Sequence, residues 1–375
     1  MQVQCDLMDM RASRVTCLIP KTGKGWSLAT RQTLTDVANF ARELGFSVFK
    51  TNFADVFSIA PLFFGVLLKR FDSLIVIYPA MGNPIHNYRS NWRDSLTALK
   101  KNAVNLFLTF IEKVIPTILF IYDLPIEQNV SLGFSKRDTW EARIREYRLF
   151  QNAFCLLVFN RNVGEHVQKR YKIDRAKIVP FEVLDYGSNV QTWLNLVKYN
   201  TENIKKINIV YSSNFANKVQ RDFLSKLPES DNLNFILLGP NFDGTILRLQ
   251  KKLRVTYEGC LIAQDYISFL INKAHFGLVY KFSPYYEFGT TSKFSSYMVA
   301  GVPALVPEDY YYLTNIVQKY NVGIVFKKLE DIPHILENLN TKDMRVLAVN
   351  AYTLGQKIKS GYFFKSAIRK VLNSF

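Results

Sequence analysis

Apolar runs of strand length alternate with longer amphipathic segments along the whole chain. The run at 14–20 is rich in β-branched residues and predicts a buried strand. Segment 27–44 has apolar residues at helical spacing and stops at Gly45, so it predicts a helix. Further strands of this half are predicted at 47–53, 73–80, 117–124, 153–160 and 176–186. Alternation of strand and helix indicates βαβ units and a parallel sheet.

The second half repeats this rhythm. Strands are predicted at 206–213, 234–240, 254–259, 275–281, 302–307 and 322–326, and helices at 217–227, 263–274 and 291–300. Residues 344–375 are amphipathic and are predicted to be helical throughout. We therefore predict an α/β protein with two Rossmann-like domains and a cleft between them. The predicted boundaries are 1–190 for the first domain, 191–355 for the second, and 356–375 for a helix that packs back on the first.

Composition narrows the class of partner. The 375 residues are 48% hydrophobic, which suits two globular domains. The 48 Lys and Arg against 31 Asp and Glu give a net charge of +17. Such a charge favours an anionic partner, namely nucleic acid, a phosphorylated small molecule or an anionic membrane. Solubility alone is the other explanation.

Cysteine spacing and apolar length indicate the compartment. Cys5, Cys17, Cys155 and Cys260 are far apart, which gives neither a zinc signature nor a disulfide framework. A reducing, cytoplasmic location is expected. The longest apolar run, 59–68, is far shorter than the roughly 20 residues that span a bilayer.

Ligands of doubly wound sheets bind at the carboxyl ends of the strands, so residues after each strand are the candidates. The loop "KTGKGW" follows the first strand, and its glycines permit a tight turn beside helix N–H groups that hold anions. It matches neither the phosphate-binding Walker pattern nor the dinucleotide GxGxxG pattern. An ordinary polar turn is the alternative.

Candidate catalytic and phosphate-binding residues follow two further strands. Asp123 follows a central strand and is a candidate general base, or else a turn former. Ser213 and Asn214 follow another strand and offer donors to a phosphate, with Lys218 as a counter-charge for a diphosphate leaving group. A helix cap with a solvated lysine is the alternative there.

The stretch "TTSK" opens a predicted helix. Thr290, Thr291 and Ser292 are good caps, and the N–H groups at that end favour a phosphate. Lys293 is unfavourable there for structure alone, because the helix dipole repels a cation. It becomes favourable when an anion binds, so we expect a ligand at this helix end.

Four segments in this order resemble a known family. They are "FIYDLPIEQ" (120–128), "IVYSSNFANKVQRDFLSKL" (209–227), "YEGCLIAQDYISFLINKAHFGLVY" (257–280) and "GTTSKFSSYMVAGVPALVPEDYYYLTNIVQKYNVGIVF" (289–326). They are similar to bacterial glucosyltransferase-3-like enzymes of the GT-B fold, which extend glycans on surface glycoproteins or build polysaccharides. The last segment keeps Lys293, Ser295, Tyr297, Gly301 and Pro303 of the family pattern. Thr290 and Ser292 stand where the family often has Asn and His.

The resemblance implies a glycosyltransferase that moves a hexose from a nucleotide sugar, expected to be a UDP-sugar, to a glycan, glycoprotein or glycolipid. It implies neither a metal nor a cofactor. The implied catalytic residues are Asp123, Lys218 and Lys293. The implied donor-binding residues are Tyr211, Ser213, Asn214, Gly239, Glu287, Thr290, Thr291, Ser292 and Ser296. The acceptor loop would contribute Thr22, Gly23, Gly25 and Trp26.

Several alternatives stay open. The chain could instead be a non-catalytic GT-B partner that binds a glycan acceptor, or a nucleotide-sugar epimerase, which four histidines make less favourable. No nucleic-acid motif accompanies the positive charge, and the basic residues are spread along the chain. The apolar and basic segment 53–71 predicts either an anionic membrane contact or a core helix. Inverting or retaining stereochemistry and a homo-oligomeric state are left undecided.

Overall fold

The computed structural model describes most of the chain. The described residues are 15–20, 28–51, 65, 70, 72–78, 110–111, 113–122, 124, 126–127, 136–200, 206–215, 222–240, 255–280 and 291–374. Contacts divide the chain into two compact units. Unit 1 comprises 1–26, 37–181 and 367–375, and unit 2 comprises 27–36 and 182–366. This division stands beside the boundaries expected from the sequence, which remain a prediction.

Unit 1 contains a six-stranded sheet in the order β2-β1-β3-β4-β5-β6, with every pair parallel. Its strands are β1 (Val15–Pro20), β2 (Ser47–Thr51), β3 (Ser73–Tyr78), β4 (Thr117–Ile121), β5 (Cys155–Val158) and β6 (Ile178–Pro180). Its described helices are α1 (Leu28–Glu43), whose first residues belong to unit 2, α2 (Lys136–Asn152) and α3 (Arg161–Tyr171). The strands β1, β4 and β5 are buried along their full length, which explains why they are apolar except for Thr16 and Thr117.

A buried carboxyl group lies within unit 1. Glu146 is 1% exposed, and the hydroxyls of Tyr78 and Tyr171 both donate hydrogen bonds to it. Burial raises the pKa of Glu146 to about 7, against the two tyrosine hydrogen bonds, which lower it. Glu127 lies 3.4 Å from the His166 ring nitrogen and 3.5 Å from Arg170. The core of this unit therefore contains a carboxyl group that titrates near neutrality.

Unit 2 contains a second parallel sheet, in the order β12-β11-β10-β7-β8-β9. Its strands are β7 (Ile207–Ser212), β8 (Leu233–Leu238), β9 (Val255–Tyr257), β10 (Phe276–Leu278), β11 (Ala304–Pro307) and β12 (Gly323–Phe326). The chain winds outwards in one direction from β7 and in the other from β10. The topological switch point, where such sheets bind ligands, therefore lies between β7 and β10.

Helices cover both faces of this sheet. They are α4 (Ala263–Lys273), α5 (Ser292–Val299), α6 (Tyr311–Tyr320), α7 (Ile332–Glu337), α8 (Thr341–Lys359) and α9 (Tyr362–Leu372), whose last residues belong to unit 1. Tyr297 of α5 is fully buried against Gly277 of β10. Its hydroxyl lies 3.2 Å from the carbonyl oxygens of both Val210 and Leu278. Tyr297 therefore fixes α5 across the switch point.

Polar contacts join the segment 182–190 to other parts of unit 2. The carboxylate of Asp36 accepts hydrogen bonds from the backbone N–H groups of Gly187 and Ser188, at 2.7 and 3.0 Å. Ser295 of α5 is fully buried, and its hydroxyl donates to the carbonyl oxygen of Leu184 at 2.7 Å. The helix that begins at the predicted phosphate site is thus bonded directly to this segment.

The predicted α/β class with parallel sheets is confirmed, but the end of the chain differs from expectation. The continuous helix predicted over 344–375 is wrong at one point, because α8 ends at Lys359 and α9 begins at Tyr362. Gly361 has a φ of 71°, and its N–H donates to the carbonyl oxygen of Ile358. The buried carboxylate of Asp185 accepts hydrogen bonds from Phe363 and Phe364, which caps the new helix.

Candidate active site

The carboxyl edges of β7 and β8 meet through close backbone packing. Gly239 follows β8 with a φ of 142°, and a Cβ at that position would lie 1.7 Å from the carbonyl oxygen of Ser213. The Ser213 N–H donates to the carbonyl oxygen of Leu238, and the Tyr257 hydroxyl donates to that of Gly239. Because only glycine fits this geometry, the predicted donor residue Gly239 sets the distance between the two strand ends.

The amino terminus of α5 follows β10 in the chain. Thr291 has an extended backbone, and its hydroxyl accepts a hydrogen bond from the N–H of Lys293 at 3.3 Å. This is the cap that the sequence predicts. Ser292 is the first residue of the helix, and its N–H, like the others of the first turn, has no partner inside the helix. These N–H groups give this end a positive potential.

Lys293 lies in the first turn and is partly buried. Its ammonium group lies 5.2 Å from the ring centroid of Tyr211, the fully buried penultimate residue of β7. Burial lowers the pKa of Lys293 to about 8. A cation–π contact of this kind offsets part of the cost of desolvating the ammonium group. Tyr211, a predicted donor-binding residue, thus stabilises the position of the Lys293 ammonium group through its ring.

Ser213 provides a second polar group at this edge. Its side chain is 8% exposed, and its hydroxyl has no hydrogen-bond partner within the described part of the chain. Leaving a buried hydroxyl unpaired costs about 1–3 kcal/mol. A ligand oxygen at this edge of the sheet would remove that cost. Asn214, the next residue, is exposed.

Tyr266 of α4 links the end of β7 to α5, and sequence reasoning missed it. Its hydroxyl lies 2.8 Å from that of Ser212 and 3.4 Å from that of Ser296. Ser296 is 1% exposed and also donates to the carbonyl oxygen of Lys293 at 2.8 Å. The hydroxyl of Ser296 therefore has partners inside the protein, and its predicted donor contact stays a prediction. In the sequence, Tyr266 is indistinguishable from a core aromatic of an amphipathic helix.

The structure brings part of the predicted set together. Tyr211, Ser213, Gly239, Thr291, Ser292 and Lys293 occupy the edge that contains the β7–β10 switch point, or the helix that follows it. Asn214 and Ser296 are also described, as given above, and the other predicted residues lie outside the described residues: Thr22, Gly23, Gly25, Trp26, Asp123, Lys218, Glu287 and Thr290. Their roles stay predictions.

A cavity of about 220 Å³ lies at the same edge, where β10, β11 and β12 end. Tyr280, Asp309 and Lys327 are among its lining residues. The ring of Tyr280 packs on Phe223, with centroids 4.2 Å apart, and Phe223 packs on Tyr211. Aromatic contacts therefore connect this cavity to Tyr211, the residue whose ring contacts Lys293. Within the described ranges, no group of three or more His, Cys, Asp or Glu residues is placed to hold a metal ion.

Comparison with known proteins finds a family match within this unit. Residues 209–371 match the family model described as "Glucosyltransferase 3-like, C-terminal domain". The second unit is therefore similar to a glucosyltransferase 3-like C-terminal domain over these residues. The matched segment contains α5, Lys293, Ser213 and Gly239, so the resemblance predicted from the sequence is confirmed for the part of the chain that carries the candidate site.

One curated relative and two solved structures extend the comparison. Glucosyltransferase 3 of Streptococcus gordonii is 29% identical over 86 residues, which are 22% of this chain and only a quarter of that relative's length. Anabaena HepE in complex with UDP-glucose has a TM-score of 0.57 at 12% identity, over 96% of this chain and all of that one. An alpha-glucosyltransferase in complex with UDP has a TM-score of 0.59 at 10% identity, over 96% and 99% of the two chains. The predicted GT-B fold class is thereby confirmed.

Proposed function

We propose that this chain is a glycosyltransferase that takes a hexose from a UDP-sugar, with the donor diphosphate at the amino terminus of α5. The observation that carries the proposal is the position of Lys293. A partly buried ammonium group on a helix N-terminus, where the dipole repels it, is favourable when an anion shares the site. The two solved neighbours, bound to UDP-glucose and to UDP, support the nucleotide.

In the proposed reaction, the bond from the sugar's anomeric carbon to the diphosphate breaks, and the acceptor hydroxyl forms the new bond to that carbon. The negative charge that grows on the departing diphosphate is stabilised by Lys293 and by the N–H groups of Ser292 and its neighbours. Ser213 donates its otherwise unpaired hydroxyl to a phosphate oxygen. Lys218 supplies a second cation, and Asp123 accepts the acceptor's proton in an inverting reaction.

The acceptor side and the surroundings extend the proposal. We infer that the acceptor is a glycan, glycoprotein or glycolipid, that catalysis needs no metal ion, and that the protein is located in the cytoplasm. These features are supported by the family resemblance and by the composition of the chain. No helix in the described part of the chain is long and apolar enough to cross a membrane.

Calorimetric titration with UDP tests the donor site. Lys342 is a matched control, because it is also the second residue of a helix, α8, but is exposed. Lys293→Ala should weaken UDP binding by about 10- to 100-fold, since a charged hydrogen bond contributes about 1.5–3 kcal/mol. Lys342→Ala should leave binding unchanged. Equal affinity in the two variants would refute the assignment of the diphosphate to α5.

Turnover separates the enzyme from a non-catalytic partner. The wild-type chain, given UDP-sugars and a panel of acceptors, should release UDP and form a glycosylated product. Lys293→Ala should reduce that rate by about 10²- to 10³-fold, the usual loss when one group that stabilises developing charge is removed. UDP-sugar binding without hydrolysis or transfer on any acceptor would favour the partner hypothesis over the enzyme.

A further inference from the structure

An apolar cavity lies at the amino edge of the unit 1 sheet, where its strands begin. It is a cavity of about 540 Å³ that opens where β4, β5 and β6 begin. Its lining includes Lys113, Val114, Phe154, Lys177 and Val371. Ligands of parallel sheets bind at the carboxyl edge, so this amino edge is not part of a substrate site. Its exposed apolar surface therefore needs another explanation.

Large apolar side chains surround the mouth of this cavity. Val114 is 54% exposed and Phe154 is 39% exposed. Phe110, 43% exposed, lies four residues before Val114, and both are in helical conformation, so the two share a face. The N–H of Phe154 donates to the carbonyl oxygen of Thr117 at 2.9 Å, which holds the aromatic ring beside the start of β4. We call Phe110, Val114, Phe154 and the cavity the amino-edge patch.

The charge around the amino-edge patch is positive. Lys113 and Lys177 are charged, and no acidic side chain is among the described residues that line the cavity. The Lys177 ammonium donates to the carbonyl oxygens of Gln151 and Ala153, at 3.0 and 3.2 Å, and so closes the end of α2. Lys113 is exposed. The cluster that leads from α3 to β6 adds Lys169, Lys172 and Arg175, all exposed, against a single acidic residue, Asp174.

We propose that the amino-edge patch docks on an anionic phospholipid bilayer, with Val114, Phe154 and Phe110 entering the headgroup region and Lys113 contacting lipid phosphates. Exposed apolar side chains next to lysines are the composition of interfacial membrane contacts. The net charge of +17 favours the same anionic surface. Pairing of two identical patches is disfavoured, because it would bring the lysines of two basic molecules together.

This inference does not depend on the proposed glycosyl transfer, since the patch belongs to unit 1 and the UDP site to unit 2. It also differs from the membrane contact expected from segment 53–71, which lies almost entirely outside the described residues. A membrane-docked enzyme would be held close to lipid-linked acceptors.

Co-sedimentation of the full chain with vesicles tests the proposal. Vesicles of phosphatidylcholine with phosphatidylglycerol should bind the chain at low salt, and pure phosphatidylcholine vesicles should bind at least ~10-fold less. Val114→Asp should weaken binding by ~10-fold or more, and Lys113→Glu by ~5-fold or more. Val346→Asp is the matched control, because Val346 is 44% exposed on α8 and should not matter. UDP affinity should be the same in all variants.

Several results would overturn the proposal. These are absence of binding to anionic vesicles at low salt, equal binding of Val114→Asp and Val346→Asp, or equal binding to neutral and anionic vesicles. A dimer in sedimentation velocity that Val114→Asp dissociates would assign the patch to a second copy of the chain instead. Circular dichroism of each variant shows whether it is folded, and Phe154→Ser provides a second, uncharged test of the same surface.

Discussion

At the scale of single residues, Lys293 has an environment that its position in the sequence does not reveal. The cap Thr291 and the helix start are ordinary sequence signals. The depressed pKa is not, because it depends on burial against Tyr211, which belongs to a strand some 80 residues earlier. A lysine with a pKa of about 8 is partly neutral in mildly basic solution.

The pH dependence of UDP binding follows from this pKa. A diphosphate favours the charged lysine, so binding above pH 8 must take up a proton and weakens as pH rises. Calorimetry at pH 8.5 in two buffers of different ionisation enthalpy should detect this uptake. Lys293→Arg keeps its charge throughout and should lose the effect, while ionisation of the uracil ring is common to both proteins. A pH profile identical in both proteins would contradict the prediction.

Gly239 allows a second prediction at the residue scale. Gly239→Ala should destabilise unit 2 by about 3 kcal/mol or more, because the new Cβ would overlap the carbonyl oxygen of Ser213. Gly259→Ala separates clash from backbone strain, since Gly259 has a φ of 81° but no atom within 4 Å of the place where an added Cβ would lie. The latter should cost only about 1–2 kcal/mol. Urea unfolding measures both, and equal losses would show that strain alone matters.

At the scale of elements, tertiary hydrogen bonds decide where the last helices end. Residues 344–375 carry a continuous amphipathic pattern, and glycine alone does not break every helix. The break forms because the Asp185 carboxylate, from a distant segment, is placed to accept the N–H groups of Phe363 and Phe364. Sequence periodicity contains no information about that partner.

Removing this cap should loosen α9 selectively. Asp185→Ala leaves two buried N–H groups without acceptors and should destabilise the protein by about 2 kcal/mol. Hydrogen exchange of Phe363 and Phe364 should become faster, while the middle of α8 keeps its protection. Asp343→Ala, an exposed carboxylate in the first turn of α8, is the control and should cost only a few tenths of a kcal/mol. Unchanged exchange at Phe364 in Asp185→Ala would show that the cap is dispensable.

At the scale of the whole molecule, the two units have separate sheets, and unit 1 contains a buried carboxyl group with a raised pKa. Glu146 lies in unit 1, and its folded pKa of about 7 is above the ordinary value of 4.5. A raised carboxyl pKa means that the folded state keeps its proton while the unfolded state loses it. The contribution of Glu146 to the free energy of unfolding is therefore fully present below pH 4.5 and decreases as pH rises towards 7.

Thermal unfolding between pH 5 and 8 tests this assignment. As pH rises to 8, wild type should lose about 3 kcal/mol of its free energy of unfolding relative to Glu146→Gln, since each pKa unit corresponds to about 1.4 kcal/mol. Glu146→Gln stays neutral and should lack this slope. Parallel pH profiles would mean that Glu146 is ionised in the folded state over this range.

The sequence by itself determined the class of fold and indicated the type of reaction that we propose, because strand and helix periodicity and the order of four short segments are local properties. It also located the helix cap at Thr291 and the lysine beside it. Only the tertiary structure decided that Tyr211 supports Lys293, that Ser213 is buried with no hydrogen-bond partner for its hydroxyl among the described residues, that Tyr266 joins α4 to α5, and that the C-terminal helix divides. Each of these depends on contacts between residues far apart in the chain, which burial and backbone geometry set and which no local pattern encodes.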